Sequence, residues 1–259
     1  MAKVDVGPLS LNVVTKGDDR ATPLLLAHPL GADLTVWDEI APVLAEKFLV
    51  VRFDARGHGL SDIPPGPYSL ADLGRDVVSL LDALGFDLAH FLGLSMSGAT
   101  GQWLMIHAPN RLGKVVLANT ATHFPGAEGW NARIRAVRTQ GMAALAAAVA
   151  ERWLSPAFRA ADPAKFEAVE GLLRAAHPDG YAACCSALRD ADLRDEIRSA
   201  PARPALVIIG EKDASAPPPL GEALARSLPG AKLVRLPAAH LSCVEAKAAF
   251  LAAVAEFLD

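Results

Sequence analysis

The sequence predicts an α/β protein with a mostly parallel, doubly wound sheet of about eight strands and an inserted helical cap. Short apolar runs alternate with segments of helical periodicity in both halves of the chain, which is typical of strand–helix–strand units. The alternation stops between residues 122 and 200, where Ala, Arg, Glu and Leu recur at helical spacing. We therefore predict a core formed by residues 1–121 and 201–259 and a helical cap formed by residues 122–200.

The predicted strands are apolar runs bounded by glycine, proline or charged residues: Leu9–Thr15, Leu24–Ala27, Phe48–Phe53, Ala89–Leu94, Lys114–Ala118, Ala205–Ile209 and Lys232–Leu236. The first run precedes every predicted helix and suggests an antiparallel edge hairpin, whereas the four runs that follow it, as far as Lys114–Ala118, are typical of buried parallel strands. Helical periodicity predicts core helices at Val36–Glu46, Leu70–Leu84, Ser97–Ala108, Leu220–Ser227 and Val244–Leu258.

Composition excludes several classes of protein. Hydrophobic residues make up 52% of the 259 positions and charged residues 21%, which is the balance of a folded chain. The net charge of −4 includes no basic run, which argues against nucleic-acid or polybasic membrane binding. The longest apolar stretch, 142–150, is about half of the ~20 residues that a membrane-spanning helix needs.

The N-terminus and the cysteines indicate the cell compartment. Asp5 and Pro8 interrupt the segment where a secretory signal would need an apolar core, so we expect a cytoplasmic protein. The three cysteines are odd in number and lack metal-ligand spacing, so we expect reduced thiols and no metal. Cys184 and Cys185 are predicted packing residues, while Cys243 lies close in sequence to His240 and is a lower-ranked candidate for a reactive thiol.

The segment GLSMSG at 93–98 lies between a predicted strand and a predicted helix and is close to the G-x-S-x-G pattern of a nucleophile elbow. Such a turn projects a serine hydroxyl at the carboxyl end of the sheet and requires small residues two positions before and after it. Ser95 is the predicted nucleophile. Ser97 replaces the second glycine and adds a hydroxyl at a crowded strand–helix contact.

A serine nucleophile needs a base, and the base needs an orienting carboxylate. Asp213 follows the strand ALVIIG and His240 follows the strand KLVRL, where a catalytic acid and base of an α/β core belong. The order Ser95, Asp213, His240 is that of α/β-hydrolases. Glu211 is a lower-ranked competitor for the acid because it lies closer to the strand, and Asn119, at the alternative acid position, is not a carboxylate.

Serine acyl transfer also needs two preorganised N–H donors for the oxyanion. Met96, directly after the nucleophile, supplies one predicted donor. The loop HPLG at 28–31 supplies the other, and because proline lacks an N–H, Leu30 is the candidate. We predict an orienting or structural role for His28.

The segment FDARGHGLSD contains Asp54, Arg56 and His58, a set that could suggest phosphate or metal binding. We predict a structural turn instead, in which Asp54 and Arg56 bond to loop backbone and to each other. The GHG stretch is too short for a phosphate loop.

These motifs resemble those of α/β-hydrolases and, more narrowly, the 3-oxoadipate enol-lactonase family. The resemblance covers nearly the whole chain through HPLGADLTVWD, VVRFDARGHGLSDIPPGPYSLADLGRDVVSLLDALG, FLGLSMSG, LANTA, GYAACCSALRDADLR and AAHLSCVE. The triad and RGHG motifs are shared by many hydrolases, whereas PPGPYS and GYAACC are narrower. The chain departs from the family pattern at Ser97 and in HPLG, where a small polar residue more often precedes the leucine.

The resemblance implies hydrolysis of an enol-lactone to 3-oxoadipate in bacterial degradation of aromatic compounds through protocatechuate or catechol, without metal or organic cofactor. Such a lactone is a small anionic substrate with a free carboxylate, so we expect a cation on the cap. Trp130 and Arg133, three apart on a predicted helix, present a ring and a guanidinium on one face. The resemblance also places a substrate-contacting Trp and Arg pair here, and Arg135 and Arg138 are alternatives.

Two other functions stay open at this point. The same triad serves hydrolases of other esters, thioesters or C–C bonds, because the fold does not determine the substrate. A ligand receptor built on the hydrolase fold is the third possibility, although a complete triad argues mildly against it. The sequence indicates no oligomeric state.

Overall fold

A computed structural model describes residues 2–259; Met1, where the predicted core begins, lies outside them. The strands are Ala2–Asp5 (β1), Ser10–Lys16 (β2), Pro23–Ala27 (β3), Leu49–Phe53 (β4), Ala89–Leu94 (β5), Leu112–Ala118 (β6), Ala205–Gly210 (β7) and Lys232–Leu236 (β8). They form an eight-stranded sheet in the order β1-β2-β4-β3-β5-β6-β7-β8. β1 pairs antiparallel with β2, and β2 with β4, while the other neighbouring strands are parallel. The mostly parallel sheet and the antiparallel edge hairpin are confirmed.

The described residues form eleven α-helices: Ala41–Leu44 (α1), Leu70–Ala83 (α2), Met96–His107 (α3), Ala127–Gln140 (α4), Ala143–Trp153 (α5), Pro156–Ala161 (α6), Pro163–Ala175 (α7), Pro178–Arg189 (α8), Pro218–Ser227 (α9), Ser242–Glu245 (α10) and Lys247–Leu258 (α11). Short 3₁₀ segments lie at Leu34–Trp37, Pro109–Arg111 and Glu196–Ser199. Helix α2 begins with a reciprocal capping box in which Ser69 and Asp72 bond each other's backbone N–H. Among residues 2–259, no helix is long and apolar enough to span a membrane.

Two segments that are each predicted to form a single helix are divided in the structure, so these two predictions are wrong. The segment 36–46 is divided into a 3₁₀ turn and α1, and Pro42 in the first turn of α1 has no N–H with which to continue an upstream helix. The segment 244–258 is interrupted at Ala246, whose φ of −120° and ψ of 41° separate α10 from α11. The break leaves Glu245 at the end of α10, where its carboxylate accepts from the Ser155 and Ala239 N–H groups, at 3.0 Å each.

The central strands of the sheet are buried on both faces, as a doubly wound sheet requires, whereas the edge strands β1 and β8 are largely exposed. Successive residues of β3 alternate between two clusters: Leu24 and Leu26 pack with Trp37 and Phe250, whereas Leu25 packs with residues of α2 and α3. Because both faces are covered, the free space for a site lies at the carboxyl ends of the strands.

The stretch between β6 and β7 carries helices α4 to α8. Apart from an isolated bridge between His123 and Asp192, no strand occurs in this part of the described chain. Helix α8 is buried along most of its length against Leu30, Tyr68 and Met96 of the strand-end loops and α3. The boundaries of the cap, at residues 122 and 200, stay a prediction.

Candidate active site

The loop between β5 and α3 holds Ser95 in an uncommon backbone conformation, with φ of 58° and ψ of −112°. Its backbone N–H donates to the Ala118 carbonyl at 2.9 Å, and its carbonyl accepts from the Thr120 hydroxyl at 2.7 Å. A Cβ at Gly93 would lie 2.3 Å from the Ser97 carbonyl oxygen, so this sharp turn requires glycine there. The surrounding contacts thus stabilise the turn that the sequence predicts.

Ser97 fits the turn because its hydroxyl has a partner. The Oγ atom donates to the His28 carbonyl at 2.6 Å, and the side chain is buried. The departure from glycine therefore adds a hydrogen bond between the nucleophile turn and the loop that follows β3.

Asp213 follows β7 and His240 follows β8, and the two buried side chains meet with Nδ1 and Oδ2 2.8 Å apart. The other carboxylate oxygen accepts from the Ser215 and Ala216 N–H groups, at 2.8 Å each. Burial alone would raise the pKa of Asp213, but the charge of His240 and these hydrogen bonds, with one from Asn119, outweigh it and lower the pKa. An ionised carboxylate accepts only, so Nδ1 of His240 carries the proton and Nε2 is the basic nitrogen.

Asn119 is a member of this network that sequence reasoning set aside. Its Nδ2 donates to Asp213 Oδ2 at 3.0 Å and to the Ala239 carbonyl at 3.2 Å. Its Oδ1 accepts from the Ser242 hydroxyl at 2.5 Å, and its φ is 49°. One amide thus connects the loop of the acid, the loop of the histidine and the start of α10. Its position directly after β6 places it at this edge of the sheet, but nothing in the sequence indicates its partners.

The two predicted oxyanion donors are free. Within residues 2–259, neither the Leu30 N–H nor the Met96 N–H has an acceptor. The Gly31 N–H, in contrast, donates to His58 Nε2 at 2.9 Å. Leu30 lines the same cavity as Ser95, and Met96 is the first residue of α3. The geometry thus leaves the two donors that the sequence analysis selected available for an oxyanion.

Two buried histidines hold the loop that contains Leu30. His28 Nε2 accepts from the Ala55 N–H at 2.9 Å, and His58 Nε2 accepts from the Gly31 N–H. Burial, aided by the neighbouring His28, lowers the pKa of His58 to about 3, so its ring is neutral and can accept. These contacts agree with the structural role predicted for His28.

The prediction that Asp54 and Arg56 bond to each other is wrong. Arg56 instead forms a bidentate pair with Asp76 of α2, at 2.5 Å for each bond. The Asp54 carboxylate is already occupied by three N–H donors, those of the Asn12 side chain and the Leu34 and Leu60 backbone. Because this carboxylate needs no further donor, the guanidinium is available to α2.

Ser95 and His240 line a cavity of about 390 Å³ between the strand ends and helices α4, α5 and α8. We call its lining residues Leu30, Ser95, Ala214, Ser215 and His240 the core wall. We call its lining residues Trp130, Arg133, Val149, Arg152, Trp153, Tyr181 and Leu188 the cap wall. The walls meet closely, since the rings of Trp153 and His240 lie 5.9 Å apart.

The predicted pair Trp130 and Arg133 lies on the cap wall, with the guanidinium 4.9 Å from the indole ring centre. The alternatives Arg135 and Arg138 are exposed and do not line the cavity. Arg152 and Tyr181 also face it, although sequence reasoning did not select them. Arg152 lies in the last turn of an Ala-rich helix, where a charged residue is ordinary, so the sequence carries no signal for it.

The cysteine and competing acid candidates lie outside the cavity. Cys243 is buried, and burial raises its pKa to about 12, so it is held as a thiol. Glu211 is exposed and does not line the cavity. Among residues 2–259, no group of three or more His, Cys, Asp or Glu residues is placed to hold a metal ion.

Comparisons with known proteins identify the family of the chain. The family model of the α/β hydrolase fold matches residues 22–247. A 3-oxoadipate enol-lactonase of Acinetobacter baylyi, isoform 2, is 39% identical over 95% of this chain and 92% of its own length. Isoform 1 of the same organism is 34% identical over 93% of this chain and 90% of its own.

Among solved structures, the enol-lactonase of Burkholderia xenovorans LB400 has a TM-score of 0.97 and 37% identity, with 99% of both chains covered. The predicted sheet and the resemblance stated above are both confirmed by these matches. The chain therefore belongs to the α/β-hydrolase family, within which its sequence and structure are similar to those of enol-lactonases.

Proposed function

We propose that this protein is a serine hydrolase that opens 3-oxoadipate enol-lactone to 3-oxoadipate in the bacterial breakdown of aromatic compounds. One observation carries the proposal. Ser95 and His240, which is bonded to Asp213, line one side of a cavity whose other side presents Arg133, which no carboxylate neutralises within residues 2–259. This combination suits a small anionic acyl compound.

The first half of the reaction forms an acyl-enzyme. His240 Nε2 removes the Ser95 proton as the hydroxyl oxygen attacks the lactone carbonyl, and Asp213 stabilises the resulting imidazolium. The N–H groups of Leu30 and Met96 hold the oxyanion. When the tetrahedral intermediate collapses, the ring C–O bond breaks and the ring oxygen leaves as an enolate that remains attached to the acyl group.

The second half releases the product. The enolate takes up the proton that His240 Nε2 accepted from Ser95 and becomes the ketone. Neutral His240 then removes a proton from a water molecule as the water oxygen attacks the ester carbonyl. The Ser95–acyl bond breaks, the serine regains its proton, and the acid leaves. Each step uses only groups of this chain, the substrate and water.

Specificity is assigned to the cap wall. We propose that the Arg133 guanidinium pairs with the free carboxylate of the lactone while the Trp130 ring packs against the substrate. The contact between the two side chains, at 4.9 Å, supports a fixed guanidinium, and a cation held in a partly desolvated cavity discriminates against neutral esters.

The test is steady-state hydrolysis of freshly generated 3-oxoadipate enol-lactone by the wild type and by Ser95→Ala, with p-nitrophenyl acetate as a parallel substrate. The proposal expects kcat/KM on the lactone of about 10⁴–10⁸ M⁻¹s⁻¹ and its collapse in the variant. Turnover of the aryl ester through Ser95 without turnover of the lactone would reject this substrate and retain the triad.

A further inference from the structure

Arg152 of α5 is a second cation on the cap wall. Within residues 2–259, neither Arg152 nor Arg133 has a carboxylate within 4 Å, although the neighbouring Glu151 lies 3.8 Å from Arg159. Burial and the charge of Arg133 lower the pKa of Arg152, which indicates that the two guanidinium groups share a poorly solvated space. Two like charges in one cavity repel each other, and an anion between them would remove that cost.

Tyr181 of α8 lines the same cavity and has a buried hydroxyl without a partner among residues 2–259. Its side chain is 1% exposed, it lines the cavity, and its hydroxyl makes no hydrogen bond of acceptable geometry within the described residues. A buried hydroxyl without a partner is destabilising unless a ligand supplies the partner. Burial raises the pKa of Tyr181, against the opposing charges of Arg133 and Arg152, so the group is a neutral donor.

From these contacts we infer that Arg152 and the Tyr181 hydroxyl, together with Arg133, form a three-donor subsite for one carboxylate group of the ligand. The inference rests on the proposed function for the identity of that ligand. A carboxylate has about four lone-pair positions, which two guanidinium groups and one hydroxyl can fill. The three donors come from α4, α5 and α8, so their positions depend on the packing of three helices.

The experiment measures binding of adipate, a six-carbon dicarboxylate, by isothermal titration calorimetry at pH 7.5. Adipamide, of equal length and without charge, is the matched probe. We expect Arg152→Gln to raise the Kd for adipate about tenfold or more, because it removes a charge-assisted contact, and Arg152→Lys to restore part of the loss. We expect Tyr181→Phe, which removes a single oxygen, to raise it about fivefold.

Matched controls come from the same chain. Tyr68→Phe changes the other of its two tyrosines, whose hydroxyl donates to the Pro64 carbonyl. Arg138→Ala removes an exposed arginine from α4. Both variants should bind adipate as the wild type does. Thermal unfolding of each variant verifies its fold, and if Arg152→Gln does not fold, the Tyr181→Phe variant decides the test.

Unchanged adipate binding in both Arg152→Gln and Tyr181→Phe would overturn the inference, as would an equal loss of adipate and adipamide binding. The lactone assay separates this result from the proposed function. Adipate binding that depends on Arg152 and Tyr181, in a protein that does not open the lactone, would support the subsite and reject the substrate. If the protein hydrolyses the lactone and neither variant changes adipate binding, the result would support the substrate and reject the subsite.

Discussion

The core wall and the cap wall of the cavity differ in whether their main charged and polar groups have partners within the protein. On the core side, the Asp213 carboxylate accepts four hydrogen bonds. Asn119 and His58 each form a hydrogen bond with a neighbouring loop. On the cap side, no carboxylate among the described residues pairs with Arg133 or Arg152, and the Tyr181 hydroxyl makes no hydrogen bond of acceptable geometry there.

This difference indicates a division of labour. Groups that move protons must hold their geometry before the substrate arrives, because reorganisation during the reaction raises the barrier. Groups that recognise an anion remain unpaired, because an internal partner would compete with the ligand. The core wall is therefore assigned to chemistry common to all substrates, and the cap wall to the choice among them.

The largest expected effect lies at Asp213, which contacts His240 of the core wall. Asp213→Asn should lower kcat by about 10⁴-fold for both the enol-lactone and p-nitrophenyl acetate, because the amide no longer stabilises the imidazolium or selects its tautomer. Steady-state kinetics with both substrates measure this. A loss of kcat for the lactone alone would indicate that Asp213 acts in substrate binding. It would contradict the assignment of general chemistry to the core side.

An intermediate effect is expected on the cap wall. Arg133→Ala should raise KM for the lactone about tenfold or more, and far more than KM for the neutral aryl ester, because only the lactone carries a carboxylate. Arg138→Ala, on the exposed side of the same helix, is the control. Equal changes in KM for the two substrates would show that Arg133 does not bind the lactone carboxylate.

The smallest effect concerns stability rather than rate. The pKa of folded His58 is lowered from 6.5 to about 3, so the unfolded chain takes up a proton first as the pH falls. His58 should therefore make the fold less stable progressively from pH 6.5 toward pH 3, by up to about 4 kcal/mol. His58→Gln, which keeps an acceptor for the Gly31 N–H, should flatten this dependence.

Urea unfolding at pH 7 and pH 4 measures that prediction, with exposed His177→Gln as the control. The difference in the free energy of unfolding between the two pH values should be smaller in His58→Gln than in the wild type or the control. An equal difference in all three proteins would show that His58 does not titrate as its burial requires.

The two walls also differ in how well they can be predicted from sequence. The core wall follows the topology of the sheet: residues that end parallel strands meet at one edge, so Ser95, Asp213 and His240 could be placed together from strand order. The polar network behind them could not, because the role of Asn119 depends on a left-handed backbone conformation and on contacts with distant loops.

The cap wall depends on how helices pack. Spacing along one helix predicted Trp130 and Arg133, but Arg152 and Tyr181 come from other helices. No periodicity relates the three helices, so their shared cavity appears only in three dimensions. Similarly, the pairing of Arg56 with Asp76 rather than Asp54 depended on where α2 lies.

The most direct test of this division is the ratio of kcat/KM for the enol-lactone to kcat/KM for p-nitrophenyl acetate, measured side by side in the wild type, Asp213→Asn and Arg133→Ala. We expect an unchanged ratio in Asp213→Asn, despite the large loss of rate, and a ratio at least about tenfold lower in Arg133→Ala. A wild-type ratio retained in Arg133→Ala, or a ratio that falls in Asp213→Asn, would contradict this division.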